Sequence, residues 1–199
     1  MRLNLNYPKG ATPIDPDEMK GLKLDYITTQ RELNAAEQNN LIKGTTWAFA
    51  IKRKNVLSEK FLRGLHKKLF GEVWAWAGVY RKSNKTIGVE WFKIPEEIKK
   101  LIDDTRYWIE NETYPMEELA ARFHHRLVWI HPFANGNGRF SRICTDVLME
   151  SLDQKHFSWG SENHEQDITD GGKLRERYIH ALQMADGKAF KELVDFMKS

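Results

Sequence analysis

Apolar residues recur at intervals of three and four residues along most of this 199-residue chain, which is the spacing of one helical face. In one such segment Leu119, Phe123, Leu127 and Ile130 fall on the same face. The pattern predicts helices over five segments, which are residues 58–78, 94–112, 115–130, 139–152 and 173–197. The last segment is expected to form one or two helices, with a break near Gly187.

The N-terminal part of the chain follows a different pattern. Residues 1–27 contain three of the six prolines and two glycines, which predicts an irregular lead-in. A helix is expected to follow, because Thr29 and Glu32 have the spacing of a capping box and strong helix formers come next. We therefore divide the chain into an N-terminal extension, residues 1–45, and a core domain, residues 46–199.

The helical pattern stops between Gly78 and Pro95. This segment is rich in β-branched and aromatic residues, and it has turn candidates at Ser83-Asn84 and at Gly88. It predicts a short hairpin or an extended flap. The expected fold class is therefore all-α, with a helical core and one small β-hairpin flap.

Composition and charge indicate a globular domain and exclude a protein built on disulfide bonds. The chain is 41% hydrophobic and 30% charged, as a globular domain is, and its formal charge of +3 permits an anionic ligand without requiring one. Cys144 is the only cysteine, which excludes an intrachain disulfide and a cysteine-rich metal site. The sequence has no secretory h-region and no run of ~18 apolar residues, so we expect a cytoplasmic protein that does not cross a membrane.

The segment HPFANGNGRFSR, residues 131–142, contains one histidine, two asparagines, two glycines and two arginines within twelve residues. Pro132 ends the preceding helix, and Gly136 and Gly138 free the backbone just before the next helix begins. Such a helix start offers unpaired N–H groups and the positive end of the helix dipole to an anion. Arg139 and Arg142 are three residues apart, so both can project to the same side, which favours a polyphosphate as the ligand.

His131 stands at the entrance of this segment, and the ordinary histidine pKa near 6.5 suits a general base. Asn135 adds an amide oxygen that can hold a water molecule or a metal ion. Each feature alone has a plain structural explanation, as a turn, a cap or a solvated charge. Found together within twelve residues, they predict transfer of a phosphate-containing group from a nucleotide to a hydroxyl.

At these residues the sequence resembles the Fic family, whose motif is H-x-F-x-[DE]-G-N-G-R-x-x-R. The matching positions are His131, Phe133, Gly136, Asn137, Gly138, Arg139 and Arg142. Three upstream segments resemble the part of the family's sequence that leads into its flap, namely Leu65-His66, Trp76-Ala77-Gly78 and Tyr80-Arg81. Thr86-Ile87-Gly88 stands in the place of the flap itself. The resemblance covers residues 46–199, and residues 11–18 and 27–40 further resemble the group called mobile mystery protein B.

The resemblance implies an all-α Fic core that binds ATP with Mg²⁺ and transfers AMP to a Ser, Thr or Tyr hydroxyl of a target protein. His131 would deprotonate the hydroxyl, and Phe133 would anchor the loop in the core. The nucleotide-binding residues would be Gly136, Asn137, Gly138, Arg139 and Arg142. The flap that aligns the target by strand-like pairing would contain Lys85, Thr86, Ile87, Gly88 and Val89.

Two features depart from the family's pattern. Asn135 stands where the family has the acidic residue that holds the metal, so a neutral oxygen replaces a carboxylate and Mg²⁺ affinity should fall. The family's inhibitory motif, [ST]-x-x-x-E-[GN], places a glutamate on the second motif arginine. Thr28 and Glu32 have this spacing, but Leu33 follows, and the capping box also explains Glu32. Glu37 is a second candidate for such an inhibitory carboxylate.

The sequence leaves three functions open. The first is AMP transfer by an enzyme that is self-inhibited, or that is toxin-like and restrained by an antitoxin-like partner. The second is a nucleotide-binding regulatory module that lost efficient turnover through Asn135. The third is a Fic enzyme that transfers a different phosphate-containing group. We do not expect nucleic acid as a partner, because acidic residues interrupt the basic residues around the flap.

Overall fold

The computed structural model describes residues 13–50, 55–161 and 172–199. These residues form eight α-helices and one short 3-10 helix, Trp91–Lys93. The α-helices are α1 Pro16–Met19, α2 Gln30–Ala50, α3 Glu59–Phe70, α4 Ile94–Glu110, α5 Met116–Ile130, α6 Asn137–Ser151, α7 Lys173–Asp186 and α8 Lys191–Lys198. The prediction of an all-α fold is confirmed. None of the helices in the described ranges is long and apolar enough to cross a membrane.

Helix α5 runs through the centre of the molecule and packs against α4, α6 and α8. Its inward face is fully buried, as the apolar spacing predicted, and includes Leu119, Phe123, Leu127 and Ile130. Burial of one such side chain contributes about 1.5–3 kcal/mol. Helix α6 packs against α5, so the short connection between the two helices is held on both sides by well-packed structure.

Helix α3 is shorter than the sequence predicted. Ser58 caps its first turn by accepting a hydrogen bond from the Phe61 N–H at 3.2 Å, and the helix ends at Gly71 rather than near Gly78. The apolar residues that follow form successive turns, in which Trp74 makes an isolated β-bridge with Leu22. Periodicity could not separate these two forms, because an apolar run packs equally well on a helix or in buried turns.

Helix α2 runs across the predicted boundary between residues 45 and 46 and packs along α3. The two helices approach closely at Gly44, where an added Cβ would lie 2.7 Å from the Lys68 carbonyl oxygen. The extension and the core therefore share one continuous helix. The predicted capping box is present at its start, with Glu32 N–H donating to Thr29 Oγ1 at 3.2 Å and Thr29 N–H donating to the Glu32 carboxylate at 2.9 Å.

The flap, defined here as residues 80–90, is a series of bends rather than two paired strands. Its one β-bridge joins Tyr80 to Phe133 in the connection between α5 and α6. Of the β-branched residues that suggested a hairpin, Val89 packs against the core, whereas Thr86 and Ile87 are exposed. At the other end of the chain, the predicted break near Gly187 separates α7 from α8.

Candidate active site

The connection between α5 and α6, residues 131–136, is a tight loop with two residues in left-handed conformations. His131 ends α5 at φ 52° and ψ 60°, and Gly136 precedes α6 at φ 78° and ψ 3°. An added Cβ at Gly136 would lie 2.6 Å from the Phe70 ring, so both the backbone and the packing require glycine there. The loop therefore turns the chain sharply and starts α6 at Asn137.

The Asn137 side chain closes this loop. Its Oδ1 accepts a hydrogen bond from the Phe133 N–H at 2.9 Å, and its Nδ2 donates to the Phe133 carbonyl at 2.8 Å. Phe133 itself is fully buried, as its predicted role of anchor requires. The amide of Asn137 is thus committed to the loop, and only the backbone of Asn137 is available to a ligand.

The N-terminus of α6 is where the sequence placed the anion hole. The first N–H groups of a helix have no partner within the helix and carry a partial positive charge. Gly138 lies in this first turn, and an added Cβ there would find no atom nearer than Arg142 Nη1, at 3.9 Å. The protein's own packing therefore does not require glycine at position 138, in contrast to position 136.

His131 is buried against the flap, with 6% of its surface exposed. Burial lowers its pKa to about 4, with smaller contributions from the positive charges of Arg81 and Lys85. An added Cβ at Gly88 of the flap, which has φ 100°, would lie 2.6 Å from the His131 Cβ. The imidazole is therefore neutral at physiological pH, and the flap backbone passes directly over it.

Arg81 fixes the flap in this position. Its guanidinium is 3% exposed and donates to four backbone carbonyls, those of His131 at 2.7 Å, Ser83 at 2.8 Å, Ile130 at 3.5 Å and Val89. Two of these carbonyls belong to the flap and two to the end of α5 and its loop. One buried side chain thus ties the flap to the residue predicted as the catalytic base.

The two motif arginines contact different helices. Arg139 Nη1 lies 2.7 Å from the carboxylate of Glu37 on α2, and its guanidinium also lies over the Phe70 ring. Arg142 lies against Tyr178 on α7, with 5.6 Å between its Cζ and the ring centroid. The sequence predicted that both guanidinium groups project to the same side. In the structure they lie beside the first turns of α6 with separate neighbours.

A third arginine contributes to the charge at this end of α6. Arg175 lies in the first turn of α7, and its pKa is lowered by burial and then by the positive charges of Arg142 and Arg139. Three guanidinium groups therefore act on the same region. A polyanion placed there would be attracted by all three of them.

The comparison of the sequence with protein families agrees with this geometry. Residues 56–149 match the model of the Fic/DOC family. Over these residues the chain is similar to the Fic/DOC family. The match includes α3, the flap, α4, α5 and nearly all of α6, and so contains every element that forms the loop and the flap.

Relatives and solved structures extend the match. The protein adenylyltransferase Fic of Drosophila virilis is 29% identical over 150 residues, which are 73% of this chain and 28% of that protein. The chain thus spans less than a third of the length of the curated relatives it matches. The N-terminal Fic domain of a Bep effector protein from Bartonella quintana superposes with a TM-score of 0.71 at 19% identity, covering 91% of both chains. The same domain with bound ADP gives a TM-score of 0.69 at 18% identity, covering 91% of this chain and 94% of the other.

The side chain of Lys85 in the flap is held by the N-terminal extension. It is 3% exposed and pairs with Asp15 at 2.7 Å and Glu18 at 2.6 Å. Lys85 therefore holds the flap to α1, and only its backbone remains for the predicted strand-like pairing with a target. Thr86 and Ile87 are exposed, as a surface that aligns a target requires.

The carboxylate that pairs with a motif arginine is that of Glu37, on Arg139, not that of Glu32. The Glu32 side chain accepts hydrogen bonds from Thr28 and Thr29 at the start of α2, and it is exposed. Glu37 is buried and also accepts a hydrogen bond from the Trp74 indole at 2.7 Å. The hydrogen bonds found for Glu32 are those of the capping box with Thr29 and two more from the N–H and the hydroxyl of Thr28.

Metal-ligating side chains are sparse around the loop between α5 and α6. No group of three or more His, Cys, Asp or Glu side chains in residues 13–50, 55–161 and 172–199 could hold a metal ion. Asn135, the predicted ligand, is half-buried and offers one neutral amide oxygen. We therefore expect any Mg²⁺ at the loop between α5 and α6 to depend on ligands that a nucleotide supplies.

Sequence reasoning missed two residues that organise the site. Arg81 and His66 were noted only as part of the resemblance, yet both are fully buried and hydrogen-bonded to the backbone of the loop. A single arginine before a lysine-rich segment looks like another exposed cation. A single histidine on the apolar face of a helix looks like a residue of the core.

Proposed function

We propose that this chain is a protein adenylyltransferase, which transfers AMP from ATP to a hydroxyl side chain of a target protein. The observation that carries the proposal is a neutral, buried histidine beneath the flap, on the loop that starts α6. A base, an anion-binding helix start and a surface for the acceptor lie side by side. The names of the curated relatives and the ADP-bound neighbour agree with nucleotide chemistry.

In the proposed reaction His131 takes the proton of the target hydroxyl. The hydroxyl oxygen then forms a bond to the α-phosphorus of ATP, and the bond from that phosphorus to the bridging oxygen of the β-phosphate breaks. Pyrophosphate leaves with the electron pair, and AMP remains on the target. Because burial lowers the pKa of His131 to about 4, the imidazole is unprotonated across the neutral range, as a group that accepts a proton has to be. It is a weaker base than the ordinary histidine pKa near 6.5 predicted.

The phosphates would bind at the first turn of α6. The N–H groups of Asn137 and Gly138 and the dipole of the helix favour negative charge there. Arg142 lies beside this turn, and Arg139 and Arg175 add positive charge. Fixed charges and dipoles of this kind stabilise the charge that develops on the phosphate oxygens in the transition state.

Magnesium enters the proposal only with the nucleotide. The residues around the loop do not fit a resident metal ion, because the motif contains no carboxylate. The Asn135 amide oxygen is neutral, and the Asn137 amide oxygen is bonded to the Phe133 N–H. We therefore expect Mg²⁺ to bind chiefly through the phosphates of ATP, and we assign it no step of the reaction.

Glu37 would restrain this enzyme. Its carboxylate neutralises Arg139, one of the arginines proposed to bind phosphate, and it is held in place by Trp74. ATP has to compete with this ion pair for the guanidinium. Glu37→Gln keeps an oxygen for the Trp74 indole and removes the charge, so it should increase both nucleotide affinity and transfer.

The test is transfer of label from α-phosphate-labelled ATP with Mg²⁺, to the chain itself and to proteins of a cell lysate. The variants to compare are His131→Ala and a control, His125→Ala, which removes a histidine of α5 that pairs with Asp186 at 2.8 Å. We expect label with the wild type and the control, and none with His131→Ala. Absence of label from both the wild type and Glu37→Gln, with ADP binding intact, would contradict the proposal.

Asn135 also favours a second candidate, a nucleotide-binding regulatory module with little turnover. The two candidates differ in their response to Asn135→Asp. If weak metal binding limits a working enzyme, the new carboxylate should increase transfer and lower the Mg²⁺ concentration required. If the chain is a binding module, ADP affinity will respond to Mg²⁺ and no transfer will appear.

A further inference from the structure

His66 of α3 is fully buried and makes two hydrogen bonds to backbone groups from distant parts of the chain. The Gly78 N–H donates to its Nδ1 at 3.0 Å, and its Nε2 lies 3.1 Å from the Asn135 carbonyl oxygen. Gly78 precedes the flap, and Asn135 belongs to the loop between α5 and α6. One imidazole therefore bridges the entrance of the flap and the loop.

These two contacts determine the tautomer of His66. A backbone N–H can only donate, so Nδ1 must be the unprotonated nitrogen. A carbonyl oxygen can only accept, so Nε2 must carry the proton. Burial keeps the ring neutral and lowers its pKa to about 3. The ring also stacks on Phe133, with 3.7 Å between centroids, which leaves it little freedom to turn.

The bond to Asn135 controls the direction of the next N–H group. The peptide between Asn135 and Gly136 is trans, and in a trans peptide the C=O and the N–H point in opposite directions. When His66 draws the Asn135 carbonyl into the core, the Gly136 N–H points away from the core. Glycine at 136 would otherwise let this peptide rotate easily and turn a carbonyl oxygen toward the anion.

We propose that His66, as the Nε2–H tautomer, is the positioning residue that orients the Asn135–Gly136 peptide for phosphate binding and links the loop to the flap entrance. Through its two nitrogens, a shift at the flap entrance is passed to the loop and a shift of the loop is passed back. The identity of the ligand as a nucleotide phosphate rests on the proposed function, whereas the tautomer of His66 and its link between the flap entrance and the loop do not.

Two amide variants separate the two bonds. In His66→Asn the side-chain oxygen replaces Nδ1, so the bond from Gly78 is kept and the bond to Asn135 is lost. In His66→Gln the side-chain nitrogen replaces Nε2, so the bond to Asn135 is kept and the bond from Gly78 is lost. Two backbone amides report on the two ends by hydrogen exchange, those of Phe133, which bonds to Asn137, and Gly78.

For the wild type, nitrogen-15 NMR should show the Nε2–H tautomer of His66. His66→Asn should speed exchange of the Phe133 amide about five- to tenfold, because the loop loses one hydrogen bond to the core and the Phe133–Asn137 bond opens more often. Gly78 should stay near its wild-type rate. His66→Gln should do the reverse. ADP affinity should fall about tenfold in His66→Asn and stay within about threefold of wild type in His66→Gln.

Each other outcome is decisive. The Nδ1–H tautomer in the wild type would overturn the inference even if both variants failed to fold. Equal changes at Phe133 and Gly78 in both variants would reduce His66 to an ordinary residue of the core and overturn it as well. A wild type that does not bind ADP, with the exchange pattern as expected, would contradict the proposed function and leave the role of His66 supported.

Discussion

Replacing Gly138 by alanine should weaken nucleotide binding while leaving the fold intact. The structure has room for the methyl group, because the nearest atom to the added Cβ would be Arg142 Nη1 at 3.9 Å. Since φ at Gly138 is not in the left-handed region, alanine there should stabilise α6 by about 0.5–1 kcal/mol. A Cβ on a helix leans toward the N-terminus, however, so the methyl group would stand where a phosphate oxygen approaches the Gly138 N–H. Losing one charge-assisted hydrogen bond costs about 1.5–3 kcal/mol, so ADP affinity should fall about ten- to hundredfold.

The assay is calorimetric titration with ADP together with urea unfolding. Gly64→Ala is the matched control, because Gly64 lies within α3 and an added Cβ there meets no atom within 4 Å. Both variants should gain similar stability, and only Gly138→Ala should lose affinity. If Gly138→Ala binds ADP as tightly as Gly64→Ala does, phosphate does not bind at the first turn of α6, and the reasoning is refuted.

Two further predictions concern stability. Lys85→Met should destabilise the fold by about 1–3 kcal/mol in urea unfolding, because it removes the one cation that pairs with both Asp15 and Glu18. Asp15, with 45% of its side chain accessible, keeps the loss below that of a fully buried pair. An unchanged urea midpoint would show that the flap is not held by this lysine. Acidification from pH 6.5 to 5.5 should lower the free energy of unfolding by about 1 kcal/mol for each of three buried histidines, His66, His124 of α5 and His131. Their folded pKa values are about 3, 3 and 4, so only the unfolded chain, with a histidine pKa near 6.5, binds protons in this range. Stability should therefore fall by about 3 kcal/mol over that unit, and a flat profile would contradict the burial of these rings.

The helices around the site could be predicted from the sequence because each has one continuous apolar face. The faces of α4, α5 and α6 follow helical spacing and are the faces that the structure buries. The sequence also predicted the helix end, the turn and the anion-binding helix start in residues 131–142, because proline, glycine and arginine each act through local backbone geometry or charge. Local rules found the capping box of Glu32 for the same reason.

Contacts between distant segments could not be predicted in this way. Glu37 and Arg139 are separated by 102 positions, and they meet only because α2 packs across α3 and reaches the start of α6. Lys85 looked like an exposed flap residue until α1 supplied two carboxylates. The role of His66 depends on two backbone groups whose positions no local pattern determines.

The central claim, AMP transfer by His131 at the start of α6, is tested most directly with two labels in the Glu37→Gln variant. This background removes the carboxylate that pairs with Arg139, so restraint cannot conceal activity. Parallel reactions would use ATP labelled at the α- or the γ-phosphate, with and without His131→Ala. We expect that only the α-label becomes attached to protein and that His131→Ala abolishes this labelling. Transfer of the γ-label, or no transfer of the α-label while ADP still binds, would contradict it.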